Sequence, residues 1–296
     1  MRCIRTVAAA ALLTAGLSSA GPQHVAARAR GAHSLQDASG PPLPAVPPLP
    51  VSRRRFEEVR RFHAPEARQG VAVSATHFYA VGNAHLVQYA RKTGERLREW
   101  KGTAGGDLVH LNSCTVLGPD LVCAHSNYPA VPMVSSIETW DAGTLEHRGS
   151  HSFGIQEGSL TWVLPRDGEW WLHFAHYGGR GGVPDKGPEW STLVRFDRQW
   201  RRLAGYVYPE ALVRYLAPYS ASGGNWGPDG RLYVTGHDAP EIHVLRVPAM
   251  GSVLAWVETI PAPIHGQAWA FDPLDPGTVW GIQRASGEIV VARLRE

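Results

Sequence analysis

The sequence predicts an all-β fold, a five-bladed β-propeller with four-stranded blades, and three observations carry that prediction. One unit recurs: an apolar strand, a short polar turn, a second apolar strand, then two amphipathic strands. Its copies are spaced by roughly 40–50 residues, the period of a propeller blade. The last copy stops one strand short, and a matching strand stands at the other end of the chain. Composition agrees. Thirty-two glycines and 23 prolines suit short strands joined by turns, and 44% hydrophobic residues can fill a sizeable core. Eleven tryptophans can pack that core or line a sugar-binding surface.

Residues 1–20 read as a signal peptide: Arg2 and Arg5 precede the apolar stretch Val7–Leu17, and Ser18-Ser19-Ala20 offers a cleavage site. The stretch is too short for a membrane span, and no later segment is long and apolar enough to be one. The mature protein is therefore expected to be secreted, periplasmic or extracellular, with no transmembrane segment. Residues 21–53 contain Pro41-Pro42-Leu43-Pro44-Ala45-Val46-Pro47-Pro48-Leu49-Pro50 and read as a disordered, proline-rich linker, with a single propeller domain over 54–296. Residues 21–62 carry seven arginines against three acids, which leaves 20 basic and 23 acidic residues from His63 onward. A mildly acidic body argues against nucleic acid as a partner.

The first blade is the clearest. Val71–Val73 leads into Phe78–Val81, then Leu86–Tyr89 and Arg96–Trp100. The second takes Cys114–Val116, Leu121–Ala124, Ser136–Trp140 and Thr144–His147; the third takes Leu160–Val163, Trp170–Ala175, Leu193–Phe196 and Leu203–Val207. The fourth runs from Trp226 through Leu232–Thr235 and Ile242–Val247 to Val253–Thr259. The fifth has only Ala268–Phe271, Val279–Ile282 and Glu288–Leu294. First strands end at Val73, Val116, Val163, Gly227 and Phe271, giving intervals of 43, 47, 64 and 44 residues. The long interval holds two insertions, a glycine-rich loop at Tyr177–Trp190 and a short helix at Pro209–Leu216. The missing strand is Phe56–Phe62. Val59–Pro65 lies over Val257–Pro263 without a gap, so the N-terminal strand closes the last blade and hides the edges of an open ring.

Cys3 leaves with the signal peptide, so Cys114 and Cys123 remain. Between them a Gly118-Pro119 turn joins two strands. If Leu117 opposes Asp120, counting outward sets the two cysteines face to face, at the spacing a disulfide needs. Export makes that bridge chemically reasonable.

Gly70-Val71-Ala72-Val73, Phe78-Tyr79-Ala80-Val81 and Leu86-Val87-Gln88-Tyr89 resemble NHL-type propeller repeats. The later blades follow the pattern more loosely, and the resemblance identifies no characterised enzyme family. It implies a fold that hosts ligand-binding scaffolds, lactonases, lyases and cyclising enzymes, and it does not select among them.

Inner strands begin, and second strands end, on the same face of a propeller. One aligned position before each first strand reads Ala67, His110, Glu157, Ala221 and His265. The positions after each second strand read Gly82, His125, His176, His237 and Gln283 or Arg284. Histidine thus gathers on one face, although the chain holds only 14. Imidazoles ligate zinc, iron and manganese, so His110, His176, His237 and His265 are expected metal ligands, with one divalent ion (Zn, Mn or Fe) as cofactor. Glu157 and His176 are expected to do acid–base work, and Arg284 to grip a substrate carboxylate. Gln69, Asn112, His125 and Gln267 are expected to hold the substrate. The alternative for each histidine is a plain hydrogen-bonding role at a strand end. Gly178–Gly182 follows His176 and should overhang this face as a lid or a tolerated insertion. His237 and Asp238 are adjacent, and strand neighbours point apart, so no dyad is expected there. Trp162 and Trp226 occupy equivalent positions and are expected to pack blade against blade.

Two readings follow. One is a metal-dependent lyase, hydrolase or cycloisomerase acting on a small polar or saccharide-like substrate; the other is a non-catalytic propeller that binds a glycan or a protein. The sequence contains no Gly-x-Ser-x-Gly elbow and no Gly-x-x-x-x-Gly-Lys phosphate loop.

Overall fold

A computed structural model describes residues 50–155 and 158–296. Residues 1–20, nearly all of the expected linker, and Glu157 lie outside the described residues.

Five four-stranded antiparallel sheets follow one another along the chain. After an N-terminal strand β1 (Arg55–His63), the first blade comprises β2 (Gly70–Val73), β3 (His77–Gly82), β4 (His85–Ala90) and β5 (Arg96–Lys101). The second is β6 (His110–Leu117), β7 (Asp120–Ser126), β8 (Val134–Asp141) and β9 (His147–Ile155). The third is β10 (Ser159–Arg166), β11 (Glu169–Ala175), β12 (Thr192–Phe196) and β13 (Arg202–Val207). A helix α1 (Glu210–Leu216) precedes the fourth, β14 (Gly223–Trp226), β15 (Leu232–Thr235), β16 (Glu241–Arg246) and β17 (Ala255–Pro261). The fifth has β18 (Ala270–Phe271), β19 (Thr278–Gln283) and β20 (Glu288–Arg295). As predicted, β1 pairs with β20 and completes it.

The first two strands of the first blade are buried on both faces, which is why they read as continuous apolar runs. Alternation sends neighbouring residues to different neighbours. In β3, Phe78 and Ala80 join a cluster with Trp280, Ile282 and Ile289 of the fifth blade, while Tyr79 and Val81 join Leu111, Leu121 and Trp140 of the second. Further clusters fill the second–third, third–fourth and fourth–fifth boundaries. Trp162 is fully buried in the third–fourth cluster and Trp226 packs at its edge, so both pack blade against blade as expected. Gly224 makes room: a Cβ there would come within 2.6 Å of the Trp162 ring.

Leu117 faces Asp120 and Cys114 faces Cys123, and the two cysteines form a disulfide with a Cα–Cα distance of 4.0 Å. Closing so short a loop contributes on the order of 2–3 kcal/mol in a chain-entropy account.

Two boundaries differ from expectation. Asp141 Oδ1 accepts the backbone N–H groups of Gly143 and Thr144, both at 2.7 Å, and Leu145 adopts a φ of 60°. That capped turn occupies the segment expected to open the outer strand, so β9 starts only at His147. Upstream, the segment assigned to the linker already joins the sheet: Thr259 N donates to Pro50 O at 2.7 Å and Ser52 N donates to Thr259 O at 2.8 Å. Arg54 then pairs with Glu258.

Candidate functional site

Near the starts of the inner strands, side-chain and backbone donors reach across to a neighbouring blade. Leu111 N donates to Asn83 O (2.7 Å), Asn112 Nδ2 to Leu160 O (2.8 Å), Thr161 Oγ1 to Ala221 O (2.9 Å), Asn225 Nδ2 to Trp269 O (2.7 Å) and Ala268 N to Gln69 O (3.0 Å). Each blade boundary therefore has its own hydrogen-bond strap. The straps leave an open space at this mouth, a cavity of about 590 Å³.

Inner-strand residues Gln69, Asn112, Thr161, Ser222 and Gln267 line it, one near each blade's start. Gln69 Nε2 donates to Asn83 Oδ1 (2.6 Å), and Gln267 Nε2 donates to the His237 carbonyl (2.9 Å). Their amide nitrogens are thus held by the scaffold.

Above them runs an arc of rings. His110 lies 5.0 Å from Tyr128, Tyr128 5.3 Å from Tyr177, Tyr177 6.4 Å from Tyr219, and Tyr219 stacks on His237 at 3.9 Å. His237 Nε2 stands 3.2 Å from Arg284 Nη1. A guanidinium only donates, so Nε2 carries a lone pair and Nδ1 carries the proton. That proton points at Asp238 Oδ2, 2.6 Å away. The expectation that His237 and Asp238 point apart fails because β15 ends at Thr235, and strand alternation does not extend into the loop that follows.

Charge in the cavity is one-sided. Arg284 and Arg180 both line it, and no carboxylate does among the described residues. Burial, then His125 and Arg284, push His110 down to about 4, so its ring is neutral near pH 7. Burial pushes the Tyr177 hydroxyl up to about 12.

Of the residues singled out from sequence, His110, His237, Arg284, Gln69, Asn112 and Gln267 line this cavity. The others do not. His265 is exposed, its N–H bonded to Ile282 O at 3.0 Å, because Gly266 and Gln267 (φ 52° and 62°) turn the chain before β18 and throw it outward. His176 is buried, its ring against Gly158 and its backbone N–H on Ser191 Oγ at 3.0 Å.

His125 belongs to a separate side pocket. Its Nε2 accepts Val109 N–H (3.2 Å) and its Nδ1 is 2.9 Å from Ser136 Oγ, which donates to Glu138 Oε1 at 2.6 Å. Burial holds this imidazole below its usual value, against the pull of Glu138 and Asp107. Both ring nitrogens are engaged within the protein.

The expected four-histidine metal set is likewise dispersed. Among the described residues, no three His, Cys, Asp or Glu side chains stand close enough to hold a metal ion.

Sequence reasoning passed over Tyr128, Tyr219, Asn83 and Arg180. A signal existed for Arg180, which lies in the glycine-rich loop expected to overhang this face. Asn83 directly follows the aligned second-strand end, Gly82.

No family model matches the chain, so the likeness to NHL-type repeats stays a resemblance. No curated protein matches it by sequence. Solved structures do. A PQQ-bound aldose sugar dehydrogenase from Streptomyces coelicolor superposes with a TM-score of 0.52 at 11% identity, covering 83% of this chain and 100% of that one. Hydrazine synthase from Kuenenia stuttgartiensis gives 0.44 at 12% identity, covering 75% and 70%. At such identities the first likeness bears on the fold alone.

Proposed function

We propose that the mouth cavity binds a small, hydroxylated organic acid and moves a proton on it. One observation carries this reading: two guanidinium groups line a cavity that has no carboxylate among its described lining residues. A partly enclosed cation without its own acid is complementary to an anion, and the planar fork of Arg284 suits a carboxylate. The amide and hydroxyl groups of Gln69, Asn112, Ser222 and Gln267 suit the hydroxyls of a saccharide-like molecule.

His237 is the base in this reading. Asp238 holds its Nδ1 proton, and Nε2 keeps its lone pair toward Arg284. When a substrate carboxylate takes Arg284, Nε2 is released to accept a proton from the carbon beside that carboxylate. The broken C–H bond leaves its electron pair as an enolate, whose charge Arg284 offsets. Elimination or isomerisation proceeds from that intermediate. Export belongs to the same reading and is supported by the disulfide, which persists in oxidising compartments.

The test is proton exchange. The full chain is incubated in D2O with galacturonate and with gluconate, and deuterium at the carbon next to the carboxylate is read by NMR. We expect incorporation that His237→Gln removes and Asp238→Asn slows with a changed pH profile. Binding without exchange would leave a non-catalytic binder, which the resting Arg284–His237 contact also fits. Absence of Arg284-dependent binding sinks both.

A further inference from the structure

The second guanidinium is not needed to hold one carboxylate, yet the loop that carries it is built against the cavity wall. Gly178 N donates to Pro218 O at 2.8 Å, which ties the start of the glycine-rich loop to another segment, and Gly182 N donates to Gly179 O at 2.9 Å, which closes a turn within it. Its path is tight. A Cβ on Gly181 would come within 2.3 Å of the Tyr128 ring, and one on Gly182 within 2.2 Å of Tyr177 O. Gly181 also has a φ of 75°, open to glycine and strained for other residues. The glycines let the backbone lie on the same tyrosines that wall the cavity, and Arg180 is the side chain this arrangement presents to it.

Exposed arginines elsewhere on this fold are commonly matched by acids, as Arg61 is by Glu58 and Glu288, and Arg148 by Asp120 and Asp141. Arg180 is matched by none among the described residues. Arg180 and Arg284 also come from different segments, the glycine-rich loop and the turn between β19 and β20, and both line the cavity.

We infer that the ligand is a dianion, a hydroxylated carbon chain with an acidic group at each end, one end on Arg284 and the other on Arg180. This rests on the reading of the cavity given above. Two guanidinium groups carried on different segments can each take one carboxylate of a dicarboxylate. The hydroxyls between the ends face the inner-strand amides, and the carbon backbone lies along Tyr219.

Gluconate and glucarate share one carbon chain and differ in the second carboxylate, so titration calorimetry of the full chain with both isolates the second contact. Glucarate is expected to bind at least about tenfold tighter, about 1.4 kcal/mol, with a steeper loss of affinity as salt rises. Arg180→Gln brings glucarate down to the affinity of gluconate, Arg180→Lys restores most of the difference, and thermal melts of each variant verify the fold. Equal affinities, both weakened by Arg284→Gln, overturn the dianion and leave the acid-binding reading intact. Failure of either acid to bind, or binding indifferent to Arg284→Gln, overturns both.

Discussion

The boundary between the third and fourth blades and the mouth of the ring use the same residue types to opposite ends. At the boundary, Arg195 places Nε and Nη2 on Glu169, both at 2.9 Å, and lies over Trp171; Arg166 lies over Trp226 and bonds Gly230 O. His173 is fully buried there, its ring 5.4 Å from Trp162. Thr161 Oγ1 donates to Ala221 O, so it accepts from His173 Nδ1 at 2.7 Å, while Nε2 faces Ser220 Oγ. These cations and imidazoles are satisfied by the protein itself. At the mouth, Arg284 has His237 and no acid as its side-chain partner, and Arg180 has no acid among the described residues. The lesson is one of charge balance: a group paired within the fold serves the fold, and a group left unpaired in a cavity is open to an outside partner.

Truncating the boundary should produce the largest effect. Trp162→Ala is expected to cost about 3–5 kcal/mol of stability, read as a shifted urea midpoint. A change under 1 kcal/mol would mean the two blades do not depend on that packing.

Acid comes next. Burial pushes His173 down to about 3 and His243 to about 4, beside His110 at about 4. The unfolded chain takes up these protons from about pH 6.5 downward, whereas the folded chain does not until these lower values. Their contribution is present above pH 6.5 and lost as pH falls, by up to about 3 kcal/mol for each of them near pH 4. Urea titrations at pH 7 and 4.5 check this, and His173→Gln should flatten the dependence. The comparison sharpens if a saturating acid ligand changes the slope through His110 but not through His173.

Arg284→Gln should weaken acid binding by about 2 kcal/mol, roughly 30-fold, the worth of hydrogen bonds to a charged group. Stability should stay level, since no internal ion pair is broken. A marked loss of stability would place Arg284 with the structural arginines and break the contrast. The smallest effect belongs to Glu169→Gln. This pair is part-exposed, so stability should fall by less than about 1 kcal/mol, with acid binding unchanged.

Legibility in the sequence followed the range of the interactions. The disulfide register came from counting outward from one turn, and the closing strand from a gapless match of Val59–Pro65 with Val257–Pro263. Half of the mouth was legible too, because Gln69, Asn112 and Gln267 hold equivalent positions near the inner-strand starts. Equal spacing in sequence does not fix side-chain direction, so His110 and His237 line the cavity while His125 and His265 do not. His125 sits where β6 departs from regular pairing between Leu111 and Cys114, and His265 precedes two left-handed residues. Tyr128, Tyr219 and Arg180 lie in loops and insertions, where no period applies.

The chain by itself determined what depends on alternation and period: five apolar boundaries, the pairing of neighbouring strands, and the closure of the ring. Only the tertiary structure decided which polar groups meet at the mouth. Their convergence depends on loop paths set by glycines, caps and left-handed residues, and those are specified by contacts between segments far apart in sequence.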